Sequence, residues 1–144
     1  MKLIKLLSVL IVAFFYQTAL FAAKTPEGNW ITVDDKTGDR RAVIRFAVKD
    51  GVMYGTIAET YPRPGDTGFC SNCPGEFKDK PIKGLTIAWG LKEKGNGEWV
   101  DGQILDAKTG RIYRLKLSAK GDKLYVRGYY GVSLLGRTQV WERV

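Results

Sequence analysis

The residues best suited to chemistry are two cysteines, in Cys70-Ser71-Asn72-Cys73-Pro74, and a scatter of carboxylates. The chain contains no histidine, which excludes a Ser-His-Asp or Cys-His pair and any His-ligated metal centre. Gly131-Val132-Ser133-Leu134-Leu135-Gly136 faintly echoes a nucleophile elbow. Its spacing is one residue too long and no base exists to activate Ser133, so it reads as a flexible turn. A redox C-x-x-C needs a helix N-terminus to depress one thiol pKa, and no helix signal follows Cys73. One pair supplies half the ligands of a zinc site, and haem attachment needs His where Pro74 stands. In an oxidising compartment the simplest outcome is a structural Cys70–Cys73 disulfide that orders its own loop, since so short a ring removes little unfolded-state entropy. Catalytic exchange is the alternative.

The carboxylates give no stronger lead. Most aspartates, among them Asp34, Asp35, Asp39, Asp50 and Asp66, fall in apparent turns, where Asp bonds its own backbone. Glu59 shares a strand face with Met53, Gly55 and Ile57, so it could face the interior or sit at its mouth. No second acid stands at a readable spacing for glycosidase chemistry. The expectation is a non-enzyme with no metal and no cofactor.

The elements that must position these residues are strands. Apolar and polar residues alternate in short runs separated by glycine-rich turns, the signature of antiparallel hairpins. Candidate strands cover 28–33, 41–48 and 52–60, and Asp50-Gly51 supplies the positive φ angles of a tight hairpin. Residues 61–83 hold four of the five prolines and both cysteines and read as an elaborated loop. Strand signals resume with Leu85, Ile87 and Trp89, then Val100, Gly102 and Ile104, then Tyr113, Leu115 and Leu117. Leu124 and Val126 mark the next strand, and 137–143 the last. About eight hairpin-linked strands with one apolar face predict an all-β fold. A closed barrel removes their unpaired edges, and a sandwich is the alternative.

The N-terminus begins with Lys2 and Lys5, continues through an apolar run from Leu6 to Tyr16 and reaches small residues at Ala22 and Ala23. This is the pattern of a cleavable export signal. Gln17 and Thr18 interrupt it short of the ~20 apolar residues of a membrane span; an uncleaved anchor is the competing reading. Cleavage after Ala22 divides the chain into a signal, 1–22, and one domain, 23–144. The intact chain carries a net charge of +8, and the domain alone has 21 basic against 15 acidic residues. Outside the cytoplasm such a surface favours an anionic envelope component or an acidic protein rather than nucleic acid, or serves solubility alone. A periplasmic or secreted location follows, and the chain is not read as an integral membrane protein.

Two resemblances rest on specific residues. Gly28-x-Trp30 opening the first strand, with Arg143 closing the last, resembles the lipocalin and calycin signature, in which a first-strand Trp packs under a C-terminal Arg and seals one end of the barrel. Further residues resemble the bacterial exported family known as domain of unknown function number 2147. They are Cys70-x-x-Cys73, Pro81-Ile82-x-Gly84-Leu85, Trp99-x-x-Gly102-x-Ile104, Gly110-Arg111-x-Tyr113, Arg127-Gly128-Tyr129 and Leu135-Gly136-Arg137-Thr138-x-x-Trp141-x-Arg143. The chain has Asp106-Ala107 where that family usually has Asp-Pro. The resemblance implies a lipocalin-like β-barrel and an envelope or secreted location, and no established activity.

The leading expectation is a barrel that holds a small apolar or amphipathic molecule, such as a fatty acid, without catalysis. Strand alternation selects Ile44, Phe46, Tyr54 and Ile87, together with Trp89, Tyr113, Leu115 and Val126, as its candidate lining. Plain core packing explains the same side chains equally well. The second expectation is an interaction module with a filled barrel, using its basic exterior and the disulfide loop with Lys78, Lys80 and Lys83. An enzyme using Glu59 or the cysteines is the third.

Overall fold

The computed structural model describes residues 25–132 and 134–144. The export signal expected at 1–22, and Ser133, lie outside the described residues. Eight strands follow in order: β1 (Gly28–Val33), β2 (Arg40–Lys49), β3 (Val52–Thr60), β4 (Thr86–Gly95), β5 (Glu98–Asp106), β6 (Arg111–Lys120), β7 (Lys123–Tyr129) and β8 (Gly136–Arg143). Each pairs antiparallel with the next, and β8 returns to β1, so the sheet closes into a barrel and no edge is left. The sandwich alternative is thereby excluded.

Two of the hairpins show why the sequence folds this way locally. Asp50 and Gly51 join β2 to β3 with φ of 52° and 76°, and Asn96 and Gly97 join β4 to β5 with 53° and 77°. Successive positive φ values match the strand twist, and Asp-Gly and Asn-Gly adopt them at least cost. Beneath the mid-level of the barrel, Trp30, Phe46, Met53, Leu91, Leu117 and Leu124 are fully buried in one cluster. These side chains form the apolar core of the barrel's lower half.

Alternation loses its phase in β5. Trp99 stands opposite Leu117 and Gly102 opposite Leu115, so β5 spends one residue more than β6 over the same stretch. Asp101 sits at the irregularity with φ of 62°. Such a bulge moves the inward face by one position. Trp99 is therefore the buried residue, whereas strict alternation from Gly102 and Ile104 had assigned that place to Val100.

The segment between β3 and β4 folds back on itself. Its backbone forms a small ladder in which Cys70 N–H donates to Lys80 O at 2.8 Å and Ile82 N–H to Gly68 O at 2.9 Å. Cys70 and Cys73 lie at disulfide distance, with Cα atoms 5.3 Å apart, and both are buried. The loop docks on the β5–β6 turn, where Asn72 Nδ2 donates to Lys108 O at 3.1 Å. A Cβ at Gly110 would fall 1.8 Å from Asn72 O, so this docking demands glycine. A short helical turn, Gly75–Phe77, lies on the outside of the barrel, and Phe77 stacks on Trp89 at 5.6 Å. No helix among the described residues is long and apolar enough to cross a membrane.

Candidate functional site

The two ends of the barrel differ. At one end Trp30 is wholly buried, and the Arg143 guanidinium lies 4.2 Å above its ring. Trp30 Nε1 donates to Pro26 O at 2.7 Å, while Arg143 donates to Glu27 O and Thr25 O, both at 2.9 Å. One planar cation thus stacks on the indole and ties the N-terminal segment across the barrel floor. Gly28 belongs to the same arrangement, because a Cβ there would come within 2.9 Å of Arg143 Nη1.

The other end opens. Above the packed half lies a cavity of about 1100 Å³, its wall supplied by all eight strands and its mouth by four loops. Apolar side chains form the wall, among them Ile44, Ile57, Ile104, Val126 and Trp141. No polar or charged residue among those described is buried, and no buried side-chain polar atom lacks a partner. Polar side chains also line the cavity, among them Thr32, Arg41, Thr60, Tyr113 and Arg137, and Trp141 Nε1 donates to Gln139 Oε1 while Gln139 Nε2 donates to Asp35 Oδ2, each at 2.9 Å. The apolar stretch of the wall discriminates by shape and apolar area.

Of the eight side chains selected by alternation, Ile44, Ile87, Tyr113 and Val126 reach the cavity. Phe46 and Leu115 face inward but lie in the packed core below it, because alternation reports a face and not a height along the barrel. Tyr54 points out and is 39% exposed, since Met53, Gly55 and Ile57 hold the inward phase of β3. Trp89 also lies on the outer face, where it stacks on Phe77 and its Nε1 donates to Gln103 Oε1 at 3.0 Å. Irregular pairing between β3 and β4, with Gly55 opposite Ala88 and Thr56 opposite Thr86, turns both Ile87 and Ala88 into buried positions and moves Trp89 out.

Sequence reasoning missed Ile57 and Trp141 as lining. The first was legible from its phase with Met53, the second only from barrel closure. Glu59 lies outside and pairs with Lys83 at 3.1 Å, with both side chains mostly exposed. Lys78 is likewise engaged, donating to the Ser71 carbonyl, so two of the three loop lysines already have partners.

Ion pairs brace the rim. Arg63 spans Asp34 at 3.2 Å and Asp39 at 2.8 Å, Arg41 meets Asp66 at 3.1 Å, and Arg137 meets Asp35 at 2.9 Å. Asp34 has its carboxyl pKa lowered, first by the backbone N–H groups of Lys36 and Thr37 and then by Arg63. Asp66 is lowered by the Arg63 N–H and the Arg41 side chain. Both anions therefore lock turns of the mouth in place. Tyr130, beside Tyr113 with ring centroids 4.6 Å apart, has its phenol pKa raised by desolvation and by their shared hydrogen bond.

A profile described as an uncharacterized protein conserved in bacteria, DUF2147, matches residues 28–143. The chain belongs to this family. The DUF2147 match begins at Gly28 and ends at Arg143, the two residues that meet at the sealed end. Among solved structures, the chain is similar to protein HP1028 from the human pathogen Helicobacter pylori, described as belonging to the lipocalin family. The TM-score is 0.72 at 16% identity, over 82% of each chain. That likeness establishes a lipocalin-like barrel and nothing of cargo. No curated protein matches the sequence.

Proposed function

We propose that this DUF2147 protein is an exported, non-catalytic carrier that holds one apolar or amphipathic molecule, such as a fatty acid, in the open half of its barrel. The observation that carries the reading is the cavity of about 1100 Å³, with an apolar stretch of wall, above the buried apolar core. Small-molecule pockets run to roughly 300–1,000 Å³, so the space accommodates a lipid-sized molecule. The tail lies along Ile44, Ile57, Ile104 and Val126, and a polar head remains at the charged rim, where water is available. The absent histidine and the outward, ion-paired Glu59 support binding without turnover.

Native mass spectrometry of the purified protein, followed by solvent extraction, tests this. The expected result is a bound species of lipid mass, or one-to-one uptake of added fatty acid by stripped protein. Absence of both defeats the proposal.

A further inference from the structure

Six of the ten large hydrophobic residues that stand exposed on the described surface surround the cavity mouth: Tyr61, Phe69, Tyr130, Val132, Leu134 and Leu135. Val132, Leu134 and Leu135 form the tip of the β7–β8 loop and are 59%, 89% and 68% exposed. Tyr130 N–H donates to Leu135 O at 3.1 Å, and Leu135 N–H to Val132 O at 3.0 Å, so the loop is a closed turn that presents these side chains. Scattered surface hydrophobics need no explanation, whereas a group concentrated on one rim does. Tyr61, Phe69 and Leu135 also line the cavity, so exposed apolar side chains reach from the loop to the barrel mouth.

Charge at this rim identifies the surface it meets. Asp34 and Asp39 share Arg63, Asp66 pairs with Arg41 and Asp35 with Arg137, four carboxylates against three guanidiniums. Asp106 accepts the Lys108 and Thr109 N–H groups of its own turn. Lys36, Lys108 and Arg111 enter no ion pair among the described residues, and Arg111 stands near enough to Tyr130 to act on its phenol. Aliphatic side chains at a tip, tyrosines beside them and six rim cations against five carboxylates suit a bilayer interface of acyl chains, headgroup boundary and anionic phosphate.

We propose that the open end docks on anionic phospholipid bilayers, inserting Val132 and Leu134, and that cargo passes between bilayer and cavity without crossing water. The docking extends the carrier reading and rests on it for its purpose, but it is measurable with no cargo present.

The test is co-sedimentation of the purified protein with phosphatidylcholine vesicles, with and without ~30% phosphatidylglycerol, beside the double variant Val132→Ser, Leu134→Ser. Neither substituted residue lines the cavity. Binding to the anionic vesicles alone, weakened by rising salt and reduced at least ~10-fold in the double variant, is the expected result. Uptake of a soluble fatty acid by the double variant is expected to match the parent, which separates docking from cargo binding. Failure of the parent to bind anionic vesicles, or equal binding by parent and variant, overturns the proposal. So does a dimer of the parent that the double variant abolishes, because the loop would then be an interface between copies.

Discussion

Arg143 does three jobs with one guanidinium. It lies on the buried Trp30 ring, satisfies two carbonyls of the N-terminal segment and occupies the space that a Gly28 side chain would need. Lysine keeps the charge but has neither the plane nor the fork. Arg143→Lys is expected to cost about 1–2 kcal/mol in denaturant unfolding, the scale of a partly desolvated cation–π contact. Trp30→Ala, which hollows the packed floor, is expected to cost about 3–5 kcal/mol. No measurable loss in Arg143→Lys would mean that the arginine contributes through charge or aliphatic bulk alone. The floor residues Gly28, Trp30 and Arg143 were legible in sequence because their types are so specific. Phe46 and Tyr54 were not separable from true lining residues, since an aromatic in a strand looks the same in the core, in the cavity wall or on the outer face.

The β3–β4 and β5–β6 pairings depart from simple alternation. The β3–β4 irregularity turned Trp89 outward, and the β5 bulge exchanged Val100 for Trp99; no local composition announces a one-residue slip. The loop between β3 and β4 was recognisable from its prolines and cysteines, but its docking on the β5–β6 turn requires the tertiary fold. Replacing both Cys70 and Cys73 by serine is expected to leave global stability little changed, because so short a ring constrains the unfolded chain weakly. Amide exchange should quicken within residues 68–82 and stay unaltered in the barrel strands. Faster exchange throughout would show the pair to be part of the global core.

The rim turns make a second prediction at this scale. The carboxyl pKa of Asp34 lies below its ordinary 3.8 in the folded protein, so its contribution to stability is present above that pH and is lost as pH falls through the lower folded value. Thermal midpoints of the parent and Asp34→Ala should therefore differ at neutral pH and converge once pH falls below the lowered folded value. A difference that persists at lower pH would place the loss elsewhere than in this anion.

At the scale of the whole molecule, hairpin signals and edge closure led to the barrel because every turn and strand agreed with it. The division into a core half and an open half was beyond sequence, since alternation reports a face and not a height along the barrel. An export signal and a domain beginning at Ala23 remain expectations from residues 1–22; N-terminal sequencing of the protein recovered from a bacterial host should start at Ala23, and an intact Met1 would contradict export by cleavage. The carrier reading depends on the open half being a place where a ligand resides.

Titration of a fluorescent fatty acid into the parent protein and into Ile104→Trp, which fills the cavity wall opposite Tyr113, tests that most directly. Saturable one-to-one binding by the parent, weakened at least ~10-fold in a variant of unchanged thermal midpoint, is the predicted result. Equal binding by both proteins, or none by the parent, would contradict a cargo held in the barrel.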